Sequence, residues 1–117
     1  MIRDPDCIFC KIIERKIPSN IVYEDELVTA FEDVSPQAPV HILVVPRKHI
    51  PEIHSTTPAD KDLIGHLFLA AKKIAEEKGL DANGYRMVIN NGRGAGQTVF
   101  HIHLHILSGR PFSWPPG

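Results

Sequence analysis

Along the chain, apolar and polar positions alternate with two different periods, and the change of period predicts the elements. Ile21-Val22-Tyr23-Glu24-Asp25 and Leu27-Val28-Thr29-Ala30-Phe31-Glu32-Asp33 place β-branched and aromatic residues between acidic breaks. They predict two strands joined by a tight turn. His41-Ile42-Leu43-Val44-Val45-Pro46 is almost continuously apolar, the pattern of a central strand covered on both faces. A helix follows over residues 58–78, with Thr57 as its N-cap, Pro58 at its first position and Gly79 as its stop. Leu63, Leu67, Ala70, Ala71, Ile74 and Ala75 form one stripe at helical spacing on it. Residues 6–16 predict a shorter amphipathic helix, ended by Ile17-Pro18 because the residue before proline is pushed out of the α region. Tyr85 to Asn90 and Phe100 to Leu107 complete the set as a fourth and a fifth strand.

The fifth of these strands carries the chemistry. His101, His103 and His105 alternate with Ile102, Leu104 and Ile106. In an extended chain this spacing sends all three imidazoles to one face and the aliphatic side chains to the other. The rings then stand roughly 7 Å apart, close enough for one phosphate-sized group to touch all of them. Histidine is the usual general acid or base near neutrality, so three aligned copies are poorly explained as polar filler on a wet face. A metal site built from the three alone is also disfavoured, because the spacing is wide for joint ligation at about 2 Å. Immediately before them, Gly92-Arg93-Gly94-Ala95-Gly96-Gln97-Thr98 is a glycine-rich loop whose backbone can approach an anion closely. It joins two strands, and neither a helix nor a lysine follows, so it is not a Walker or dinucleotide loop.

Composition narrows the ligand. The 117 residues fit one domain, 1–117, and the formal net charge of −1 comes from interspersed acidic and basic residues. There is no electrostatic footprint for a nucleic-acid polymer or an anionic membrane, so any nucleic-acid relationship is with a small nucleotide. No apolar run reaches membrane-spanning length and the first residues contain no signal-like apolar segment, which predicts a cytoplasmic protein. The only cysteines, Cys7 and Cys10, open the first helix rather than follow a strand. Metal binding therefore fits better than a redox pair. Two thiolates supply half of a tetrahedral zinc site, and the other half must come from distant histidines, with His49, His54, His66, His101 or one of its sisters as candidates. His54 and His66 otherwise read as surface histidines. The proline-rich tail, Arg110 to Gly117, holds the chain's single tryptophan, Trp114, and predicts docking against a groove or a second subunit.

These stretches together resemble the histidine-triad (HIT) family, on its Hint branch of nucleotide-binding phosphoramidases. The resemblance rests on Phe31 to Pro39, His41 to Ile50, Tyr85 to Asn90, Gly96 to His105 and Trp114-Pro115-Pro116-Gly117, and covers nearly the whole chain. It implies an α+β fold with a five-stranded antiparallel sheet and two helices, and a homodimer whose sheets join into ten strands, with tail residues 108–117 at the dimer interface and active site. It implies that His103 attacks the phosphorus of a purine nucleoside phosphoramidate and becomes nucleotidylated, after which water releases a nucleoside monophosphate, with no divalent metal at the phosphate. By matching position, His105 and His101 complete the catalytic set and His41 supports it from behind. Asp33 takes the ribose, and Val34, Ile8, Phe9, Ile12 and Leu43 wall the base. Asn90, Gly96, Gln97 and Thr98 hold the phosphate side, and Trp114 reaches the site from the tail. The resemblance also narrows the zinc ligands to Cys7, Cys10, His49 and His101. Dinucleoside polyphosphate hydrolysis, nucleotidyl transfer and a binding module without biological turnover are the alternatives.

Overall fold

The structure, a computed structural model, describes residues 2–117. In chain order the elements are α1 (Ile8–Ile13), β1 (Ile21–Glu24), β2 (Val28–Glu32), β3 (Val40–Pro46), α2 (Lys61–Glu77), β4 (Tyr85–Val88) and β5 (Leu104–Ser108), with short 3-10 turns between them. The strands form one antiparallel sheet in the order β1-β2-β3-β5-β4. The five-stranded, two-helix α+β arrangement expected from the sequence is therefore the one found.

Period-two alternation sorts the sheet's residues between two cores. Val28, Ala30, Ile42, Val44, Leu104 and Ile106 pack under α2, against Leu67, Ala70, Ala71, Ile74 and Ala75. Phe31, Leu43 and Val45 face the other way, against Phe9, Cys10, Ile12 and Ile13 of α1. Each fully buried large aliphatic contributes roughly 1.5–3 kcal/mol. The helices are unequal, however. The 17 residues of α2 span about 25 Å, whereas the six of α1 span about 9 Å. Part of the sheet's second face is left without a helix over it, and His41, His103 and His105 line the recess there.

The start of α2 follows its sequence signals. Thr57 and Asp60 form a reciprocal capping box, Pro58 opens a 3-10 turn over residues 58–60, and Gly79 closes the helix at φ 67°. The first helix is shorter than the predicted 6–16. Cys7 caps it through Sγ, and it ends at Ile13 because Arg15 turns left-handed at φ 61°, with the Lys16 N–H donating to the Lys11 carbonyl at 2.8 Å. The fourth strand stops at Val88, so Asn90 lies beyond it.

The larger difference is in the fifth strand, which begins at Leu104 rather than Phe100, so that only His105 of the three histidines is in the ladder. The neighbouring β3 ends at Pro46, which has no N–H to offer. From there the chain is held by other bonds: the Ile102 N–H reaches the Ile50 carbonyl at 2.9 Å, and the His101 ring bonds the Pro46 carbonyl at 2.7 Å. Alternation survives without the ladder. Ile102 joins the α2 core while His101 and His103 stay on the α1 side.

Candidate active site

Hydrogen bonds to the backbone, passed on from ring to ring, decide which nitrogen each imidazole presents. The His103 Nδ1–H donates to the carbonyl of His101 at 2.8 Å, which leaves Nε2 as a free lone pair. His41 Nδ1 accepts from the Gln37 N–H at 3.0 Å, so its proton sits on Nε2 and points at His105 Nδ1, 2.9 Å away. His105 must then carry its own proton on Nε2. Asp33 stands 3.4 Å from His41 Nε2 and steadies that proton, with its other oxygen held by the Ser35 N–H at 2.8 Å. The outcome is one bare nitrogen on His103 next to one N–H on His105, with ring centroids 5.0 Å apart. Such a pair could supply a nucleophile and a donor to an anionic group.

Burial keeps these rings neutral. Desolvation lowers His103 below the ordinary histidine range, against the opposing effects of the His101 carbonyl and Asp33. His105 is pushed down to about 4 by desolvation and by its neighbours His103 and His41. His41 is lowered by desolvation, with Asp33 opposing.

His101 does not face the cavity. It is fully buried, its Nε2–H donates to the Pro46 carbonyl, and its Nδ1 lies 3.4 Å from Cys7 Sγ, 3.6 Å from Cys10 Sγ and 3.1 Å from His49 Nδ1. Cys10 Sγ is 3.5 Å from His49 Nδ1. A tetrahedral ion with nitrogen at about 2.05 Å and sulfur at about 2.3 Å requires N···S edges of about 3.5 Å and N···N edges of about 3.3 Å. These four distances are close to such edges, all four ligand atoms lie within 4.8 Å of one another, and the side chains could hold a metal. Their number and spacing, with one ring fixed by a carbonyl behind it, are those of a closed structural site. Of the candidate histidines, His54 and His66 lie outside this group. His66 bonds Asp25 at 2.7 Å and fastens α2 to the β1–β2 turn.

The uncovered part of the sheet is a cavity of about 610 Å³, within the usual size for a small-molecule site. His103, His105 and His41 line its floor, Ile8, Phe9, Ile12 and Leu43 its apolar wall, and Asp33, Val34, Gly96 and Thr98 its rim. Ile17, Pro18, Phe31 and Val99 line it too, and none of these was singled out from the sequence. Phe9 stands edge-on to the His103 ring at 5.1 Å and to His101 at 5.9 Å, so α1 braces both histidines. Val34 and Ile8 are 93 % and 48 % exposed, apolar surface at the mouth of an apolar recess.

Three predicted residues lie elsewhere. Gln97 is buried, and its amide ties the loop together through the Gly92 N–H and the Pro51 and Val99 carbonyls. It has nothing left to offer a phosphate. The backbone N–H groups of Ala95, Gly96 and Gln97 are likewise spent on carbonyls within the loop, and Thr98 is the loop residue with a hydroxyl lining the cavity. Asn90 lines an adjacent groove that it shares with His105. Trp114 is 83 % exposed and lines no part of the cavity within one chain, while the tail around it is held by Arg86, whose Nη2 donates to the Ser113 carbonyl at 2.9 Å.

The HIT domain family matches residues 14–112. The chain is a HIT protein. An uncharacterized HIT-like protein of Synechocystis is 60 % identical over 96 % of this chain and 97 % of its own length. The crystal structure of a HIT family hydrolase from Legionella pneumophila superposes with a TM-score of 0.93 at 47 % identity, covering 96 % of this chain and all of that one. A histidine triad nucleotide-binding protein from Candida albicans superposes at 0.81 and 34 % identity over 94 % and 83 % of the two chains. This HIT protein thus shares the fold of a HIT family hydrolase, with His41, His103 and His105 at the floor of its cavity.

Proposed function

We propose that this protein hydrolyses purine nucleoside phosphoramidates, as a HIT enzyme of the Hint branch. The observation that carries the reading is the tautomer pair: His103 with Nδ1 bonded and Nε2 bare, next to His105 with Nε2–H. The nucleoside lies along the apolar wall, with its ribose hydroxyls at Asp33 and its phosphate over the histidines. His103 Nε2 then forms a bond to phosphorus as the P–N bond breaks. The bonding pair goes to the amine, which takes up one proton and leaves. The positive ring left on His103 is stabilised by its Nδ1–H on the His101 carbonyl, and His105 and Thr98 meet the phosphoryl oxygens. Water attacks phosphorus in the second step, the P–N bond to His103 breaks, one proton is released, and the nucleoside monophosphate departs. Splitting one displacement into two is what a bare, neutral imidazole does best near pH 7.

We assign zinc to Cys7, Cys10, His49 and His101, where it would staple α1 to the segment presenting His103 and take no part in the chemistry. The open edge of β4, with Met87 exposed, and the exposed Trp114 favour a homodimer whose sheets join along that edge. Two free thiols side by side fit the reducing cytoplasm. The decisive experiment is rapid quench of turnover with an adenosine phosphoramidate, followed by mass spectrometry of the peptide from Val99 to Leu107. An adenylylated His103 is expected. Turnover with no such adduct on any quench timescale would mean direct attack by water.

A further inference from the structure

A second recess of about 260 Å³ opens on the other side of His105 and His41 from the nucleoside cavity, and the two share those rings. Its chemistry is different. Arg86 and Arg110 flank the Phe112 ring, with guanidinium carbons 5.2 and 4.3 Å from its centroid. Both are anchored by backbone carbonyls, Arg86 at Ser113 and Arg110 at Gln37 and Pro111, and neither pairs with an acidic side chain among the described residues. Two guanidinium groups held this way have lost most of their rotamer freedom before any ligand arrives. Both keep N–H groups unspent. Arg86 pairs across the sheet with Leu107, one step along the same face from the Val88–His105 pair, so the recess with its guanidinium groups opens directly beside the His105 ring.

Resting on the phosphoramidase reading, we infer that this recess is the leaving-group subsite and that Arg86 and Arg110 select amines carrying a carboxylate, that is, phosphoramidates of amino acids. The planar carboxylate matches the guanidinium fork. Neutral or cationic amines gain nothing there, and a cationic one faces two like charges.

The test compares adenosine 5′-phosphoramidates of glycine and of glycinamide, which differ in one charge, on the same preparation of the full-length protein. The wild-type kcat/KM ratio should favour the carboxylate by roughly tenfold at low ionic strength and shrink as salt is added. In the double variant Arg86→Met, Arg110→Met the ratio should fall to about one, and in Arg86→Lys, Arg110→Lys it should keep part of its value. Because each ratio compares two substrates on one sample, loss of folded protein cancels. A wild-type ratio of one or below, or a preference that the double methionine variant retains, overturns the inference while leaving the phosphoramidase reading intact. Preferential release of phosphate from adenosine 5′-diphosphate over release of glycine would overturn the assignment to amino acids. Failure to hydrolyse either phosphoramidate would overturn both readings together.

Discussion

The His49–His101 cluster and the His41–His103–His105 cluster draw on the same five-residue stretch and the same side-chain chemistry, yet they are wired in opposite senses. In the first, a carbonyl of Pro46 takes the proton on Nε2 and turns His101 Nδ1 inward toward two thiols and a second ring. In the second, the carbonyl of His101 takes the proton on Nδ1 and turns His103 Nε2 outward into an open cavity. The difference lies in which nitrogen finds a backbone acceptor. One cluster is arranged as a closed set that could hold a metal, the other, in the proposed reaction, as a nucleophile with a donor beside it, and residue 101 belongs to both, through its ring in one and its carbonyl in the other.

The sharpest way to break this comparison is to remove the bare nitrogen. His103→Ala should lower kcat for an adenosine phosphoramidate by about 10⁴-fold, while the Kd for the nucleoside monophosphate, measured by calorimetry, stays within about threefold. Metal content should not change. A loss of nucleotide affinity as large as the loss of rate would instead assign His103 to binding.

Removing the other cluster's ligands should give the converse pattern. Cys7→Ser, Cys10→Ser should purify with no zinc by atomic absorption, where the wild type should carry about one ion per chain. It should lose about 3 kcal/mol of stability, roughly 10 °C in Tm. Rate should fall less than in His103→Ala, because the carbonyl of His101 remains. An unchanged Tm would reduce the four side chains to ordinary packing. A smaller effect separates the supporting histidine of the open cluster, His41, from the other two. His41→Phe should leave zinc and Tm near wild type but lower kcat about 10–100-fold, since His105 loses the bond that fixes its proton on Nε2. Equal kcat would mean that the cavity alone sets that tautomer.

How far this contrast can be read from sequence depends on the kind of bond involved. Alternation in residues 101–106 and the stripe on α2 report which face a side chain takes, and both faces are as expected. The family resemblance singles out His49 and His101 beside the cysteines, and these four meet in space. What the pattern cannot encode is which backbone group a polar side chain will bond. His101 and Gln97 find carbonyls of Pro46 and Pro51 far along the chain, His41 accepts from the Gln37 N–H, and Gln97 also accepts from the Gly92 N–H and donates to the Val99 carbonyl. So Gln97 reads as a phosphate ligand when it is a strut. The fifth strand reads too long for a related reason, because the proline that ends its ladder sits on the neighbouring strand. The size of the cavity follows from α1 being one and a half turns, which is set by a left-handed Arg15 that no local rule favours.

A third histidine offers a control outside both clusters. His66 bonds Asp25, whose carboxylate also accepts from the Leu27 and Val28 N–H groups and the Tyr23 hydroxyl. Burial alone would raise the Asp25 carboxyl, but the Leu27 N–H, Tyr23, His66 and the Val28 N–H together outweigh it and hold it at about 2. A carboxyl lowered from 3.8 to about 2 stabilises the fold while ionised, so its contribution is complete above about pH 4 and disappears as the pH falls through 2. The shift corresponds to about 2 kcal/mol. Urea unfolding between pH 5 and 2 should therefore show stability falling with acid, and Asp25→Asn should flatten that part of the curve by about this amount. At pH 7 the same variant should keep its zinc content and kcat close to those of the wild type, because the β1–β2 turn touches neither histidine cluster. A variant that instead lost zinc or rate in proportion to stability would show that the two clusters respond to global loosening rather than to their own bonds, and the distinction drawn between them would collapse.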